Sequence, residues 1–234
     1  MEKHIKDNVR EVVSRIEAAA SKVGRDPGDV LVLAATKNRT PEEVQEAVKA
    51  GVNVAGENRV QELLAKVGDV PGPVQWDFIG HLQRNKVRHV IGVVRLIHSV
   101  DSVRLAEEID RRARGAGFVQ QVLLQVNVAG EASKEGIEPD GLPAVIREME
   151  GFKNIGIRGL STIAPLTDEP EEVRWVFHSL AELGRDMEVT HNGFKCGVLS
   201  MGMTNDFEIA VEEGSTCVRV GTAIFGPRKY SEAG

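Results

Sequence analysis

The sequence predicts a single-domain (β/α)8 TIM barrel, an α/β fold, with one extra helix at the amino terminus. Two observations carry this prediction. About eight short segments rich in valine, leucine and isoleucine alternate with helical segments. No low-complexity linker interrupts the alternation, and 234 residues is close to the usual size of this fold. A doubly wound open sheet is the alternative, but no Gly-x-Gly-x-x-Gly follows the first strand to support a dinucleotide-binding version.

The first three elements are well marked. Apolar residues recur at helical spacing between residues 3 and 23, with charged residues between them, which predicts an amphipathic helix. The predicted strand over residues 30–37 is continuous Val, Leu and Ala as far as Ala35 and then ends in Thr36 and Lys37, as expected of a parallel strand buried on both faces. The sequence Thr-Pro-Glu-Glu at 40–43 is a capping box with proline at the first helical position, and Gly51 marks the end of that helix.

The remaining elements repeat this strand and helix unit. Further strands are predicted near residues 53–57, 76–80, 96–100, 120–128, 156–163, 197–201 and 217–225. Helices are predicted between them, near residues 58–67, 83–91, 102–115, 140–150, 170–187 and 205–213. The whole chain, residues 1–234, is therefore expected to form one domain.

Composition narrows the class of function. The 35 acidic and 29 basic residues are spread along the chain and give a net charge of -6, so no nucleic-acid partner is expected. The apolar runs are far shorter than the roughly 20 residues of a membrane helix, so no membrane role is expected either. Two cysteines without metal-ligand spacing, and no leader at the amino terminus, indicate a reducing compartment and a cytoplasmic location.

Active sites of (β/α)8 barrels are built at the carboxyl ends of the strands. That rule nominates the polar, small and methionine residues that follow each predicted strand. They are Lys37, Glu57, Asn58, Gly80, His81, Asn85, Ser99, Asp101, Asn127, residues 161–163, Ser200, Met201, Gly202, Met203, Arg219, Gly221 and Thr222.

The seventh and eighth strands together predict a phosphate site. "LSMGMTNDFE" supplies the Ser200 hydroxyl, a permissive backbone at Gly202 and a helix start near Thr204. "VRVGTAIFG" supplies Gly221 and Thr222, where a missing side chain lets backbone approach an anion. Each segment alone is also typical of an ordinary turn.

The predicted phosphate site makes Lys37 a candidate ligand-binding residue. It ends a buried strand and, in a barrel, would face the phosphate loops across the mouth, whereas the alternative is a solvated lysine at a strand end. A neutral lysine amine attacks carbonyl carbons and forms Schiff bases. An aldehyde that also carries a phosphate suits both halves of the site, which predicts pyridoxal 5'-phosphate (PLP) as the cofactor.

Three other polar residues have open interpretations. Arg219, between two valines, is either paired with a helix carboxylate or a fixed cation for a ligand. His81 is either a structural group or a catalytic base. Lys134 lies on the same predicted face of the barrel, and it is either a second amine of the site or a solvated loop residue.

Six strings of the sequence resemble one known family. They are "AATKNRT", "AGENRVQE", "WDFIGHLQRNK", "GLSTIAP", "LSMGMTNDFEIAVEEGST" and "VRVGTAIFG". They resemble the YggS/PROSC family, the pyridoxal phosphate homeostasis proteins, over residues 30–226. The resemblance implies a single barrel like the amino-terminal domain of alanine racemase (PLP fold type III), with PLP held as an internal aldimine.

The resemblance also implies roles for individual residues. Lys37 would form the aldimine, Asn58 would lie near the ring, and Arg219 would face the pyridine nitrogen. The phosphate ligands it implies are Ser200, Gly202, Met203, Gly221 and Thr222. No metal ligand and no catalytic residue is implied. Ala55, Arg59 and Ser161 depart from the residues that are typical of the family at those positions.

The arginine bears on whether the protein is an enzyme. A permanent cation beside the ring nitrogen disfavours its protonation, so the ring becomes a poorer electron sink. The only tyrosine, which could serve as a racemase base, is Tyr230 in the terminal tail, and no room is expected for the second domain of a racemase. The sequence therefore predicts a PLP-binding protein for PLP and amino-acid homeostasis, without appreciable catalysis.

Two other functions stay open from the sequence. One is an amino-acid racemase or related PLP enzyme, with Lys37 as one base and His81 or a water as the other. The second is a phosphate-binding barrel enzyme without pyridoxal, in which Lys37 is an electrostatic clamp. Expected partners are PLP and PLP-dependent apoenzymes, and the charged helix surfaces favour a monomer.

Overall fold

The computed structural model of the protein describes residues 4–131 and 134–227. Eight parallel strands close into one barrel in chain order, and the first strand pairs with the last, with Val32 opposite Val218. The strands are β1 (Leu31–Ala35), β2 (Val54–Glu57), β3 (Gln75–Phe78), β4 (Leu96–Val100), β5 (Gln120–Gln125), β6 (Ile155–Ser161), β7 (Val198–Ser200) and β8 (Cys217–Val220). The predicted barrel is confirmed.

Helices cover the outside of the barrel. They are α1 (Ile5–Lys22), α2 (Pro41–Lys49), α3 (Val60–Val67), α4 (Val103–Gly115), α5 (Leu142–Met149), α6 (Arg174–Thr190), α7 (Phe207–Glu212) and α8 (Thr222–Phe225). Between β3 and β4 the predicted helix is the short 3-10 helix Arg84–His89. Only Val87 of that segment is buried, so little apolar surface favours a longer α-helix there.

The start of α2 follows the predicted capping box. The Thr40 hydroxyl accepts the Glu43 N–H at 3.3 Å, and the Glu43 carboxylate accepts the Thr40 N–H at 2.8 Å. Pro41 occupies the first helical position, where its missing N–H costs nothing. Caps of this kind stabilise a helix by about 1 kcal/mol. They hold the chain that leaves β1 in a fixed direction.

The extra helix α1 is also confirmed. Its buried stripe includes Val9, Val12 and Ile16, and this stripe packs on α2, α7 and α8. Two ion pairs join its polar edge to α7. Arg15 contacts the Glu208 carboxylate with N–O distances of 2.7 and 2.9 Å, and Lys22 contacts Glu212 at 2.7 Å. The helix therefore lies directly behind the elements that end the chain.

The prediction of a strand over residues 217–225 is wrong in its second half. The strand ends at Val220, and residues 222–225 form α8. The Gly221 carbonyl accepts the N–H groups of Ile224 and Phe225 at 3.0 and 2.9 Å, as in a helical turn. This turn buries Ile224 and Phe225 against α1, so tertiary packing overrides the strand preference of an apolar run.

Within the described ranges, no helix combines the length and the apolar character that crossing a bilayer requires.

Candidate functional site

A cavity of about 460 Å³ opens at the carboxyl ends of the strands, within the size range of small-molecule sites. Six of the eight predicted cofactor-binding residues line it. They are Lys37, Asn58, Met203, Arg219, Gly221 and Thr222. The remaining lining residues are Ala35, Arg39, Ile79, Lys134, residues 163–167, Thr204, Asn205 and Asp206.

Lys37 stands in a sharp turn after β1. The Arg39 N–H donates to the Thr36 carbonyl at 3.0 Å, and Asn38 takes a left-handed φ of 59°, which asparagine tolerates better than most residues. The Asn38 N–H donates to the Glu62 carboxylate at 2.8 Å and anchors the turn. In the described part of the chain, no hydrogen bond or ion pair engages the half-buried Lys37 ammonium. The amine is therefore available to a ligand.

Arg39 is directed away from Lys37 and toward the end of α8. Its guanidinium donates to the carbonyls of Phe225 at 3.2 Å and Gly226 at 2.5 Å, and its Cζ lies 5.4 Å from the centroid of the Phe225 ring. Arg39 is 8% exposed and lines one wall of the cavity. Its main role is to hold the end of α8 against the turn that carries Lys37.

Arg219 is a buried cation at the floor of the cavity. Its Nη1 donates to the Ser200 carbonyl at 2.7 Å and to the Ser200 hydroxyl at 2.6 Å, and its Nη2 donates to the Thr162 carbonyl at 2.7 Å. Burial lowers the pKa of Arg219, but a guanidinium keeps its proton in proteins. The alternative of an ion pair with a helix carboxylate finds no support among the described residues, since none of their carboxylates lies within ion-pair distance.

Ser200 and Gly202 lie beneath the cavity and not on its surface. Ser200 is fully buried, and its hydroxyl contacts Arg219 and His98. Gly202 has a φ of 93°, and a Cβ there would lie 2.6 Å from Ala210 Cβ, so only glycine fits. The two residues shape the floor, whereas the sequence predicted that they would contact phosphate directly.

The loop 203–206 and the start of α8 form one wall of the cavity. The Thr204 hydroxyl accepts the Ala223 N–H at 3.3 Å and ties the two segments together. A Cβ on Gly221 would lie 3.4 Å from the Ala35 carbonyl oxygen. The absence of a side chain at Gly221 therefore lets β8 lie close to β1. Thr204 was predicted only as a helix start. A hydroxyl in a loop directly before a helix was the signal that could have placed Thr204 in the cavity wall.

Asp206 is an acid in this wall of the cavity. Its carboxylate accepts the Met203 N–H at 2.5 Å. Burial raises the pKa of Asp206, which reduces the charge it opposes to a phosphate. Its sequence position does not distinguish it as a site residue, because an aspartate before a helix is a common cap.

The end of β2 contributes one residue to the cavity and one to the core. Asn58 lines the cavity, and a Cβ on Gly80 would lie 2.1 Å from the Asn58 carbonyl oxygen, so glycine permits the close approach of the two strand ends. Glu57 is fully buried and pairs with Lys66 at 2.5 Å. Lys66 also donates to the Thr36 carbonyl at 2.8 Å, so this pair supports the turn before Lys37.

The structure separates the other two candidate groups, His81 and Lys134. His81 is half-exposed and its Nδ1 lies 2.5 Å from Glu135 and 3.8 Å from Asp101. It lines a different surface cleft together with Asn85. Lys134 lines the main cavity, but its ammonium pairs with the Glu131 carboxylate.

The remaining nominated hydroxyls and amides are structural. Ser161 donates to the His98 carbonyl at 2.5 Å, and Asn127 donates to the Glu131 carbonyl at 3.1 Å. The Ser99 hydroxyl is buried and has no hydrogen-bond partner among the described residues. Residues 163–167, which follow β6, were mostly not nominated, yet they line the mouth of the cavity.

Neither cysteine competes with lysine as a nucleophile. Burial raises the pKa of Cys196 to about 12 and the pKa of Cys217 to about 11. The thiolate is the reactive form, so both sulfur atoms are inert near neutral pH.

Below Ser200, the barrel core holds a histidine and a carboxylate. His98 Nδ1 lies 2.9 Å from the Ser200 hydroxyl, and His98 Nε2 lies 3.0 Å from the Asp77 carboxylate. Burial lowers the pKa of His98 more strongly than Asp77 raises it. Burial opposes ionisation of Asp77, but hydrogen bonds from His98 and Arg95 outweigh it and hold the pKa of Asp77 below its usual value. His98 is therefore neutral and Asp77 ionised at neutral pH.

This histidine makes stability depend on pH. As the pH falls through 6.5, the ordinary pKa of histidine, the unfolded chain binds a proton that native His98 does not. We expect the free energy of unfolding to fall with decreasing pH, by up to about 1.4 kcal/mol per pH unit from this residue, until the pH reaches the lowered native pKa.

Urea unfolding between about pH 7 and about pH 5 checks this expectation, since the window lies above the range in which carboxylates dominate. His98→Gln should flatten the dependence, whereas the control His4→Gln, at an exposed position, should leave it as in the wild type. Equal slopes in the wild type and His98→Gln would contradict the expectation.

Comparison with known proteins places the chain among close relatives. Residues 3–229 match the family model for the alanine racemase N-terminal domain. The chain is 43% identical over 225 residues to the pyridoxal phosphate homeostasis protein of Aquifex aeolicus, an alignment that covers 96% of this chain and 98% of the relative. It is 40% identical over 228 residues to the protein of the same name from Pseudomonas aeruginosa, with 97% and 96% covered.

A solved structure agrees with these relatives. The chain is similar to PipY of Synechococcus elongatus with PLP bound, with 35% identity and a TM-score of 0.79. That similarity covers 91% of this chain and 100% of PipY.

Proposed function

Since the chain belongs to the family of pyridoxal phosphate homeostasis proteins, we propose that it binds pyridoxal 5'-phosphate in the cavity at the barrel mouth, with Lys37 as covalent anchor. The observation that carries the proposal is the unengaged Lys37 amine in the same cavity as a buried cation and the loop 203–206. The family relationship and PLP in PipY support the choice of this cofactor.

The donors in the cavity fit the three parts of PLP. The Lys37 amine suits the aldehyde, and the Thr204 hydroxyl, with the backbone around Gly221 and Thr222, suits the phosphate. Arg219 at the floor suits the ring nitrogen, which is an acceptor when unprotonated. Asn58 and Ile79 lie on the wall between these parts and offer contact to the ring. We propose that Met203 contacts the phosphate through its backbone, as the sequence predicts. Ser200 and Gly202 are assigned to the floor beneath the cavity.

The proposed bond masks a reactive aldehyde. The amine nitrogen of Lys37 bonds to the aldehyde carbon, the carbonyl oxygen leaves as water, and a carbon–nitrogen double bond results. PLP acts as an electron sink when bound in an enzyme. Here Arg219 disfavours protonation of the ring nitrogen and so weakens that property.

We further propose that the protein holds and supplies PLP without appreciable catalysis. A racemase needs a second base on the face of the ring opposite the lysine. Among the described lining residues, Lys134 is the other amine, and it is paired with Glu131. His81 lies outside the cavity, and Tyr230 lies outside the described residues. These placements favour a carrier over a racemase. The relatives, too, are named for homeostasis and not for a reaction.

The proposal extends to the domain organisation, oligomeric state, location and recipients of the protein. We propose that residues 1–234 act as one PLP-binding domain, monomeric and cytoplasmic, whose recipients are PLP-dependent apoenzymes. The half-exposed Ile163 and the strongly exposed Leu166 stand at the cavity mouth, where such a recipient would have to approach.

Borohydride reduction followed by peptide mapping tests the proposal. Reduction should fix PLP on the peptide that contains Lys37, with a mass increase of one reduced pyridoxyl phosphate. An adduct on another residue, or none, would overturn it. Incubation with single-enantiomer amino acids in heavy water separates carrier from enzyme. We expect no α-proton exchange at catalytic rates, and sustained exchange would contradict the carrier assignment.

A further inference from the structure

A continuous row of hydrogen bonds runs through the barrel core beneath the cavity. It begins at Arg95, whose Nε and Nη2 contact the Asp77 carboxylate at 3.0 and 2.6 Å. It continues from Asp77 to His98 at 3.0 Å and from His98 to the Ser200 hydroxyl at 2.9 Å. It ends at Arg219, 2.6 Å from that hydroxyl. The core of this barrel is therefore polar directly below the cavity.

The chemistry of the groups determines the direction of every bond. Arg219 can only donate, so the Ser200 oxygen accepts from it. The ionised Asp77 can only accept, so His98 Nε2 carries the proton and donates to it. His98 is neutral, so its Nδ1 accepts, and among the described residues the group within reach that donates to it is the Ser200 hydroxyl. Ser200 thus has no proton left to give to a phosphate.

This directional order fixes which groups face the buried cation. Asp77, His98 and Ser200 are 0%, 2% and 0% exposed, so water does not screen the group. Isolated buried charges are very costly, and here the oxygens of Ser200 and Thr162 and the nearby acid Asp206 stabilise Arg219. Asp77 pairs with Arg95 and orients His98. The Ser200 side chain is the link that touches the guanidinium.

Of the five N–H groups of the Arg219 guanidinium, three donate to described residues, so the Nε–H and one Nη2–H are left over. Both Nη atoms are engaged by the Ser200 and Thr162 oxygens, whereas Nε has no hydrogen-bond partner among the described residues. Arg219 lines the cavity, and its Nε is not among the fully buried unpartnered atoms. The protein therefore fixes the two outer nitrogens and leaves a donor for the ligand.

We propose that Asp77, His98 and Ser200 are positioning residues that hold the Arg219 guanidinium in register with the ring nitrogen of the bound cofactor. This inference rests on the proposed function for the identity of the ligand. Under this proposal, the weak electron-sink property of the bound ring depends on the core residues that hold Arg219 as well as on Arg219 itself. Ser200 acts through Arg219 and not on the phosphate.

A ligand pair separates positioning from mere structural support. PLP carries the ring nitrogen, whereas its deaza analogue has carbon at that place and offers Arg219 no acceptor. We expect Ser200→Ala to weaken binding of PLP about tenfold, as for a disturbed hydrogen bond to a charged group. Binding of the deaza analogue should change by less than about twofold, since it does not use that contact.

Ser99→Ala is the matched control. It makes the same substitution at a buried serine on β4, but the Ser99 hydroxyl has no partner among the described residues. We expect it to bind both ligands like the wild type. Equal weakening of both ligands in Ser200→Ala would reduce Ser200 to a structural role, and unchanged affinity for both would overturn the proposal.

A second measurement needs no ligand. In nitrogen-15 spectra of the free protein, the Nε–H signal of Arg219 is assigned by its loss in Arg219→Lys. Ser200→Ala removes the hydroxyl bond to Nη1, and His98→Phe removes the acceptor that orients that hydroxyl, whereas the carbonyl bonds of Ser200 and Thr162 stay. The weaker restraint on the guanidinium should speed its hydrogen exchange by about tenfold. Unchanged exchange would refute the positioning role even if borohydride mapping had already refuted PLP binding, so the two failures are distinguishable.

Discussion

Replacing Lys37 by methionine is expected to remove the covalent adduct with PLP completely. The substitution keeps the length and most of the apolar stem of the side chain but deletes the amine. No other unengaged amine lines the cavity in the described ranges, because Lys134 is paired with Glu131. The absorption band of the bound cofactor in the visible region should disappear, and reduction with borohydride should leave the protein mass unchanged.

Lys134→Met provides the matched control. It removes the second amine of the cavity by the same substitution, so the visible band and the Lys37 adduct should persist. The assignment of Lys37 fails if the adduct survives in Lys37→Met or vanishes only in Lys134→Met. Because the proposed phosphate contacts and Arg219 remain, Lys37→Met should still bind PLP reversibly, and dialysis should remove the ligand.

Replacing Lys66 by methionine is expected to cost about 3–5 kcal/mol of unfolding free energy, the usual cost of breaking a buried ion pair. Lys66 is 6% exposed and Glu57 is fully buried, and the two groups lie 2.5 Å apart. The substitution leaves the Glu57 carboxylate in the core with only the Thr36 hydroxyl, at 2.7 Å, and a backbone N–H. Urea unfolding at neutral pH measures the loss.

Two further variants show whether the cost comes from the stranded charge. Adding Glu57→Gln to Lys66→Met removes that charge and should restore a large part of the stability. Arg10→Ala breaks the exposed pair with Asp7, where the side chains are 68% and 57% exposed, and should cost less than about 1 kcal/mol. A Lys66→Met variant as stable as Arg10→Ala would show that the pair contributes no more than a surface contact.

The parts of the fold that could be predicted from sequence are those set by local patterns. Alternation of apolar runs with capped helices indicated the barrel, and the Thr40 capping box fixed where α2 begins. Lys37 was recognisable because a charge directly after a doubly buried strand is unusual. In a parallel barrel, such a residue has to lie at the carboxyl edge, where the cavity is.

The parts that could not be predicted depend on contacts between distant residues. The direction of the Ser200 hydroxyl is set by His98 and Arg219, which lie 102 and 19 positions away along the chain. The sequence around a serine at a strand end is the same whether its hydroxyl faces a ligand or the core. Lys66 looked like an ordinary helix-surface lysine, and only the packing of α3 against β2 reveals its buried partner.

The pairing of β1 with β8 has a consequence for synthesis. Strand β1 needs β8 to close the barrel, and α1 needs α7 and α8 to cover its apolar stripe. A ribosome adds about 5–20 residues per second, so the amino-terminal helix waits on the order of ten seconds or more for its partners. Until β8, α7 and α8 have been synthesised, the apolar stripe of α1 and the edge of β1 lack the partners that cover them in the folded barrel.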